Sequence, residues 1–487
     1  MSGLAKGFLD YIVANIDDDL PRVVYADWLQ ENGRDARAEF IRVQVERGRR
    51  PSWDPAQVPL RLREQELLKR HGEEWLAEMP AVEGARWEGF RRGIVAEVSF
   101  ASFEAMRTSA AACRAVAPVE AVTVRWPRRR EGKKTVKPIA ELRELTITGA
   151  PEHDVCEWVA ASPQLATLRR LTVRSLLRYS FELLVASPHL ANLRSLRLPS
   201  NDIGSYGLNT LAGAASLSLL EELDLTAGGR HERYHGDELI RAAGMQALMN
   251  WSGLATVRSL TLSGNNLSRD GLRALLRSPH VASLKELSLR DTRLNGQSMA
   301  EFESARKGMQ LDSLDLGENV LKAVGAEYLA VVPCLSELKS LRLDRCEITA
   351  AGARLFAKKA SFLGELRCLD LGHNHFGPSG LAALLAREPA ALHTLRMRDN
   401  DLLDAGAEVL AGSPASDTLL EADLSQNNLG PVAAKVLGES DHLDGLLVLR
   451  LADNPIPEAA ATALAASPLG TRLSELELDN LPAATGE

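Results

Sequence analysis

Apolar residues recur at a fixed spacing through most of this chain, and that repeat limits the possible folds more than any other feature. In the stretch LTLSGNNL, which begins at Leu260, leucines are followed by asparagine, glycine and further spaced leucines, and the pattern returns at Leu287. Successive units start 25 to 28 residues apart, with one longer interval between Leu220 and Val257. A chain of 487 residues with such a repeat is an array of small units rather than a set of separate globular cores. The units begin at Leu142, Leu168, Leu193, Leu220, Val257, Leu284, Leu311, Leu338, Leu366, Leu392, Leu419, Leu446 and Leu473.

Each unit predicts a strand, a turn and a helix. Apolar residues at positions one, four and six, as in Leu311, Leu314 and Leu316, alternate with the period of a strand that has one apolar face. Spaced leucines later in the unit have the period of an amphipathic helix. Position nine, where the turn begins, is often an asparagine that can bond to backbone groups, and one unit has Cys346 there. These asparagines are Asn201, Asn265, Asn319, Asn374, Asn400, Asn427 and Asn454, and the glycines at position fifteen include Gly271, Gly325, Gly352 and Gly406.

The pattern LxxLxLxxNxLxxxGxxxLxxxL resembles the ribonuclease-inhibitor type of leucine-rich repeat over roughly residues 119–487. The resemblance implies an α/β fold, a horseshoe-shaped solenoid with a parallel inner sheet and outer helices. Helices are about 10 Å wide and parallel strands lie about 4.8 Å apart, so such a stack curves toward its strands. VEAVTV from Val119 and GIVAEVSF from Gly93 predict strands at the start of the stack.

Residues 1–79 lack the repeat and predict a small all-α module. The segment DDDLPRVVYADWLQENG with AEFIRVQ resembles the bacterial repeat-companion domain over about residues 4–50. Residues 80–118 predict a connector with a capping strand and helix, before the solenoid of residues 119–487. We expect the helices to pack on the stack and cover the edge of its first strand, because terminal repeats need capping. Asp17, Asp18 and Asp19 are interpreted as the N-terminus of a helix rather than as a metal site.

The composition of the chain argues against several classes of function and location. A net charge of -8 argues against a general nucleic-acid or anionic-membrane binder. No stretch of about 18 apolar residues and no leader pattern is evident, so we expect a cytoplasmic protein. The five scattered cysteines predict neither disulfides nor a thiolate zinc site. At the last repeat, Glu475, Glu477 and Asp479 place charge along an edge strand, so we expect a monomer.

Two local motifs offer alternative chemistry, and neither is the favoured interpretation. His231, Glu232 and His235 match HExxH, with Glu238 as a further ligand of a zinc site at 231–238, but flanking glycines argue for a loop on the rim instead. That rim loop contains Arg230, His231, Arg233, Tyr234 and His235. A basic loop within 125–137 could contact a polyanion, with Trp126 for stacking, through Arg128, Arg129, Arg130, Lys133 and Lys134. No phosphate loop, dinucleotide motif or nucleophile motif is found, so we expect no enzyme activity, no cofactor and no metal.

The sheet surface carries the favoured functional interpretation. Positions three, five and seven are largely polar, although parallel sheets are usually apolar and covered on both sides, so this surface meets water or a partner. We expect a protein-interaction module that binds an unidentified protein on its concave face; the alternatives are a regulator or inhibitor of a partner enzyme, a polyanion contact through the basic loop, and an enzyme that uses the N-terminal module or the zinc motif. We do not expect nucleic-acid or membrane binding.

Position five alternates between acid and base from Asp315 to Glu477, which predicts ion pairs between neighbouring strands and a mild effect of Arg396→Asp on stability. The candidate binding residues are Arg197, Asp224, Arg290, Asp315, Arg342, Asp344, Asp370, Arg396, Arg398, Asp423, Arg450 and Glu477.

Overall fold

The computed structural model describes residues 3–125, 142–149, 153–228 and 239–479. The chain forms two compact units, one of residues 1–239 with 251–257 and the other of residues 240–250 with 258–487. Strands in both units are short and follow one another in chain order within their sheets. The described parts therefore have the repeated strand, turn and helix that the leucine spacing predicts.

The first unit starts with four helices. Pro21 lies in the first turn of the second helix, where its missing N–H costs nothing, and Gly33 follows that helix with a positive φ of 75°. Asp19 precedes the same helix without capping it, because its carboxylate instead pairs with Arg49 at 2.9 Å. The helices are α1 Gly3–Ala14, α2 Leu20–Glu31, α3 Asp35–Arg49 and α4 Gln57–Ala77.

Repeats fill the rest of the first unit. The first two strands are antiparallel, and each later strand pairs in parallel with the one before it. The strands are β1 Ala85–Arg91, β2 Ile94–Phe100, β3 Ala121–Arg125, β4 Glu144–Thr148, β5 Arg170–Val173, β6 Ser195–Arg197 and β7 Glu222–Asp224; the helices are α5 Phe103–Arg114, α6 His153–Ala161, α7 Arg178–Ala186 and α8 Gly204–Leu208.

The N-terminal helices pack against the β1–β2 hairpin of the same unit. Phe40 of α3 contacts Trp75 of α4 and Phe90 of β1, with ring centroids 5.0 Å away in each case. In the hairpin turn, Gly93 has a φ of 80°, and a Cβ there would lie 2.3 Å from the Cα of Ile41. Only glycine permits both that backbone conformation and that close approach. The helices are therefore fixed against the start of the stack.

One expectation about the start of the stack is wrong. We expected the helices to cover the edge of the first parallel strand, but that edge is covered by the antiparallel strand β1. The register of β1 shifts at Gly89, consistent with a bulge that interrupts regular alternation. The strand also contains three charged residues, Arg86, Glu88 and Arg91. Its apolar residues therefore do not alternate clearly, and the sequence pattern did not predict this strand.

Nine parallel strands lie in the described part of the second unit, and each after the first pairs with the strand before it. The repeat that starts at Leu284 has a 3-10 helix, Gly296–Ser304, in place of an α-helix. The strands are β8 Ser259–Thr261, β9 Glu286–Ser288, β10 Ser313–Asp315, β11 Ser340–Arg342, β12 Cys368–Asp370, β13 Thr394–Arg396, β14 Glu421–Asp423, β15 Val448–Arg450 and β16 Glu475–Glu477; the helices are α9 Ala242–Asn250, α10 Ser268–Arg277, α11 Lys322–Leu329, α12 Ala350–Lys359, α13 Gly377–Leu385, α14 Leu403–Ala411, α15 Pro431–Gly438 and α16 Glu458–Ala465.

Buried leucines and buried asparagines hold the repeats together. Leu314 and Leu316 are fully buried between the sheet and the helices, as the repeat predicts. Asn319, at position nine, is also buried, and its side-chain amide bonds to the backbone carbonyls of Leu289 and Leu316 at 2.8 and 2.9 Å. Such bonds satisfy backbone groups that the turn would otherwise bury without partners.

Candidate protein-binding face

Polar side chains at positions three, five and seven lie on one side of the strands of the second unit, opposite the buried leucines. Asp315, for example, lies between buried Leu314 and Leu316 and is itself only partly buried. Successive strand residues point to opposite sides of a sheet, so positions three, five and seven share a surface. We call this surface, formed by those positions of β8–β16 and the residues directly after them, the strand face.

The pairing register of the sheet brings the position-five charges side by side. Asp315 is the direct neighbour of Arg342, which is the neighbour of Asp370, and Asp370 is the neighbour of Arg396. The same alternation continues to Asp423 and then through the next two strands to their Arg450 and Glu477. Acid and base therefore alternate across neighbouring strands.

Most of the ion pairs, however, do not join these direct neighbours. Arg342 and Asp315 are 3.9 Å apart, near the limit of a salt bridge. Arg396 instead contacts the position-three carboxylate of Glu421 at 3.1 Å, and Arg450 contacts the same oxygen at 2.8 Å. Arg450 also reaches Glu475 at 2.9 Å, with Glu477 more distant at 3.5 Å. The expected ladder between position-five neighbours is therefore wrong in most of its partners.

Side-chain reach explains the difference. The short aspartates at position five bond to the backbone two residues later: Asp315 accepts from Gly317 N at 2.9 Å and Asp370 from Gly372 N at 3.1 Å. Asp423 accepts from the backbone N–H two residues on in the same way. The long arginines are free to reach the glutamates at position three, which the sequence analysis had not singled out. Because strand side chains alternate with a period of two, positions three and five lie on the same face, and this alternation is the sequence signal that could have identified the glutamates.

Burial affects the acids of this surface. It raises the pKa of Asp315 and of Asp370, because desolvation disfavours the charged carboxylate; the backbone hydrogen bond to each acts in the opposite direction. Glu421 is 4% exposed and has two arginine partners. Asp315 and Glu421 are less exposed than the arginines that contact them, so these carboxylates are fixed more by their neighbours than by solvent.

A glycine allows one arginine to cross an entire strand. Arg290 makes two hydrogen bonds to the carboxylate of Asp344, at 2.8 and 2.6 Å, although the two residues belong to repeats separated by a third. Gly317 lies between them, and a Cβ there would be 2.3 Å from Arg290 Nη1 and 2.6 Å from Asp344 Oδ1. Paired hydrogen bonds to a carboxylate are the arrangement that guanidinium favours most.

The remaining candidate residues differ in how strongly they are bound to neighbours. Arg398 donates to Gln426 at 3.1 Å and to Asp453 at 2.8 Å. In the first unit, Arg197 contacts Glu222 at 2.5 Å, while Asp224 accepts from the backbone two residues on. Arg342 has an exposed side chain, 53% accessible. It is the arginine of the strand face best placed to meet a partner.

Acids outnumber bases at positions three, five and seven of the second unit. These positions carry nine carboxylates and five guanidiniums, with the side chains packed on one surface of the sheet. The surface is therefore acidic, in keeping with the charge of the whole chain. The acids are Glu286, Asp315, Asp344, Asp370, Glu421, Asp423, Glu475, Glu477 and Asp479, and the bases are Arg290, Arg342, Arg396, Arg398 and Arg450.

Both loop candidates lie outside the described residues. This holds for the basic loop, with Arg128, Arg129, Arg130, Lys133 and Lys134, and for the rim loop, with Arg230, His231, Arg233, Tyr234 and His235. Within 3–125, 142–149, 153–228 and 239–479, no group of three histidine, cysteine or acidic side chains is placed to hold a metal ion. No helix in the same ranges has the length and hydropathy needed to cross a bilayer.

The cysteines are poorly suited to nucleophilic chemistry. Burial raises the pKa of Cys346 and of Cys156 to about 12, and that of Cys334 to about 11. The reactive species of cysteine is the thiolate, which such surroundings suppress. Cys346 instead donates a hydrogen bond to Leu316 O at 3.3 Å, in the place where other repeats have asparagine.

Comparison with known proteins finds similarity to leucine-rich repeats. A family model described as Leucine Rich repeat matches residues 253–276 and 366–385. Ribonuclease inhibitor from Sus scrofa is 34% identical over 190 residues, which are 36% of this chain and 41% of the relative. Ribonuclease inhibitor from Mus musculus is 30% identical over 313 residues, covering 61% of this chain and 66% of the relative. NACHT, LRR and PYD domains-containing protein 5 from Homo sapiens is 30% identical over 316 residues, covering 60% of this chain and 25% of the relative. The chain thus spans less than half of the pig relative and a quarter of the human one.

Proposed function

This chain is a leucine-rich repeat protein of the ribonuclease-inhibitor type, and from that premise we propose that its strand face binds a protein partner with a basic surface. The observation that carries the proposal is the excess of carboxylates on a sheet surface that none of the described helices covers. Complementary charge speeds association and selects partners, and a surface with prearranged charges loses little freedom on binding. Relatives named as ribonuclease inhibitors support a binding role over an enzymatic one.

The test removes acidic charge from the strand face without breaking its ion pairs. Glu286, Asp370 and Asp423 make no salt bridge within the described residues. Changing all three to the amides, Glu286→Gln with Asp370→Asn and Asp423→Asn, keeps their shape and leaves an oxygen to accept the turn bonds. The triple variant should bind a basic partner about tenfold more weakly at low salt, because each solvent-screened charge contact contributes ~0.2–1 kcal/mol.

A matched variant controls for the change in net charge. Glu303, Glu408 and Glu458 are exposed on the helical side of the same unit, and changing them to glutamine removes the same three charges. Proteins captured from native lysate by the immobilised wild type would be quantified against both variants over a series of salt concentrations. Equal losses for the two variants, or a retained partner with no excess of basic residues, would contradict the proposal.

A second candidate is inhibition of a ribonuclease, which the names of two relatives favour. Under this hypothesis the strand face occludes the substrate cleft of a basic ribonuclease. Pancreatic ribonuclease A is the probe, assayed with and without the chain at stoichiometric concentration. Unchanged ribonuclease activity would remove this candidate and leave the broader proposal to the capture experiment.

We further propose that the chain acts as a monomer in a reducing compartment such as the cytoplasm. The cysteines of the described residues are all unpaired, in keeping with a reducing environment. Asp479 and the two glutamates of β16 place negative charge along the last strand of the second unit, which disfavours pairing with another chain. A mass from light scattering that rises with concentration would contradict the monomer. The resemblance of the N-terminal segment to a bacterial domain stays a prediction.

A further inference from the structure

A cavity of about 200 Å³ lies in the first unit, between the N-terminal helices and the start of the sheet. Aromatic and aliphatic side chains form most of its wall, with Trp28 from α2 and Trp75 from α4 on the helical side and Ile94 and Val95 from β2 on the sheet side. Arg34 and Glu78, each about half exposed, form an ion pair of 2.6 Å where the cavity meets solvent. The cavity is therefore largely apolar, with a charged mouth.

One cation lines this cavity without a hydrogen-bond or salt-bridge partner among the described residues. The Arg37 guanidinium lies against the rings of Trp75 and Phe90, with its carbon 4.7 Å from each centroid. Its Nη1 is buried and has no hydrogen-bond partner, and Arg37 makes no salt bridge within the described residues. The nearest carboxylate on the cavity wall, Glu78, is already engaged by Arg34. Ring contacts offset part of the cost of burying the charge, but they satisfy none of its N–H groups.

The charge of Arg37 persists at neutral pH. Burial lowers its pKa to about 10, the desolvation of the cation being the main cause. A desolvated cation at the wall of an open cavity attracts an anion more strongly than an exposed arginine does. Tyr25 lines the same cavity, and burial raises the pKa of its hydroxyl, so that the hydroxyl stays protonated and able to donate.

We propose that this cavity binds a small monocarboxylic acid with a planar apolar body. The carboxylate would accept hydrogen bonds from Arg37 and from the Tyr25 hydroxyl, while the apolar body would lie among Trp28, Leu29 and Val95. A single unpaired guanidinium matches a single negative charge. A phosphate group would bring a second charge close to Glu78, which favours the carboxylate.

Phenylacetate is a suitable probe, with neutral phenylacetamide as its isosteric control. Titration calorimetry on the full chain should give saturable binding of phenylacetate. Phenylacetamide should bind about tenfold more weakly or worse, because it carries no charge and has an NH2 group, which cannot accept a hydrogen bond, in place of one carboxylate oxygen. Titration with phenylacetate up to about 10 mM detects dissociation constants in the millimolar range, and the absence of saturable binding in that titration would overturn the proposal. Equal binding of acid and amide would overturn it as well.

Variants assign the binding to the cavity. Arg37→Met removes the cation and keeps a long apolar side chain, and it should abolish phenylacetate binding. Arg70→Met removes the same charge from an exposed position of α4 that does not line the cavity, and it should bind like the wild type. Val116→Phe adds bulk to the wall while retaining Arg37, and it should also block binding. Thermal unfolding confirms that each variant is folded. Binding by a folded Arg37→Met or Val116→Phe at wild-type affinity would place the acid elsewhere.

Discussion

The buried asparagines make a strong quantitative prediction, which Asn374→Ala tests. The Asn374 side chain accepts from the backbone N–H groups of Cys346 and Ile348, at 3.1 and 2.9 Å. It donates to the carbonyls of Leu343 and Leu371, at 2.9 and 2.8 Å. One side chain thus satisfies backbone groups of two consecutive repeats, all of them buried.

The magnitude follows from those four bonds. A typical intramolecular hydrogen bond contributes a net ~0.5–1.5 kcal/mol, and an unsatisfied buried group costs ~1–3 kcal/mol. Water entering the vacated space would satisfy part of the loss. We therefore expect Asn374→Ala to lower the free energy of unfolding of the second unit by about 3–4 kcal/mol.

Urea denaturation and hydrogen exchange would measure the effect. The amides of Cys346 and Ile348 should lose protection first, because they lose their acceptor. Asn250→Ala is the control, since Asn250 is exposed at the end of α9 and accepts a single side-chain bond of 3.2 Å from Gln246. It should change stability by no more than ~0.5 kcal/mol. A loss below ~1 kcal/mol for Asn374→Ala, with unchanged exchange at 346 and 348, would show that the four hydrogen bonds of Asn374 contribute little to stability.

Three further substitutions test the charge arrangement. Hydrogen bonds from two arginines, Arg273 first, lower the pKa of Glu301 to about 2, so the stabilisation by its carboxylate is present at neutral pH and is lost as pH falls from about 4.5 to 2. Glu301→Gln should therefore cost about 2 kcal/mol at pH 7. The difference between the urea midpoints of wild type and variant should disappear as pH falls through that range. Arg396→Asp places a second acid beside buried Glu421 and should cost about 2 kcal/mol, contrary to the mild effect that the sequence suggested. A urea midpoint equal to that of wild type would show that Arg450 alone compensates the charge of Glu421. Gly317→Ala intrudes on the Arg290 guanidinium and should cost about 2 kcal/mol, whereas retention of the Arg290 ion pair in a crystal structure of the variant would contradict the steric argument.

The repeat could be predicted from the sequence because its physical causes are local and periodic. Leucines at positions four and six are buried because a strand alternates its faces, and the asparagines at position nine, such as Asn319, are buried because the turn exposes backbone groups that need an amide. The order of charges at position five followed from the same period. These features depend on spacing alone.

Features that depend on side-chain reach and on contacts distant in sequence could not be predicted in the same way. The partner of Arg396 is set by its length and by the turn bonds of the aspartates, not by strand order. The Arg290 pair depends on a glycine in an intervening repeat. Arg37 lies in a helical segment whose sequence gives no sign of a site, and its contacts with Trp75 and Phe90 arise because α3 packs against α4 and β1. Some loop residues, such as His373 with a φ of 53°, adopt a left-handed conformation that their residue type does not indicate.

Site-specific photo-crosslinking from one repeat tests directly whether the strand face is the binding surface. A photoreactive benzoylphenylalanine would be placed at Arg342 on the strand face or at Arg354 on α12, so that both proteins lose one exposed arginine from the same repeat. Binding at the strand face predicts that residue 342 crosslinks to a basic protein in native lysate, that added salt suppresses the adduct, and that residue 354 gives none. Equal adducts from both positions, or an adduct from residue 354 alone, would contradict binding at the strand face.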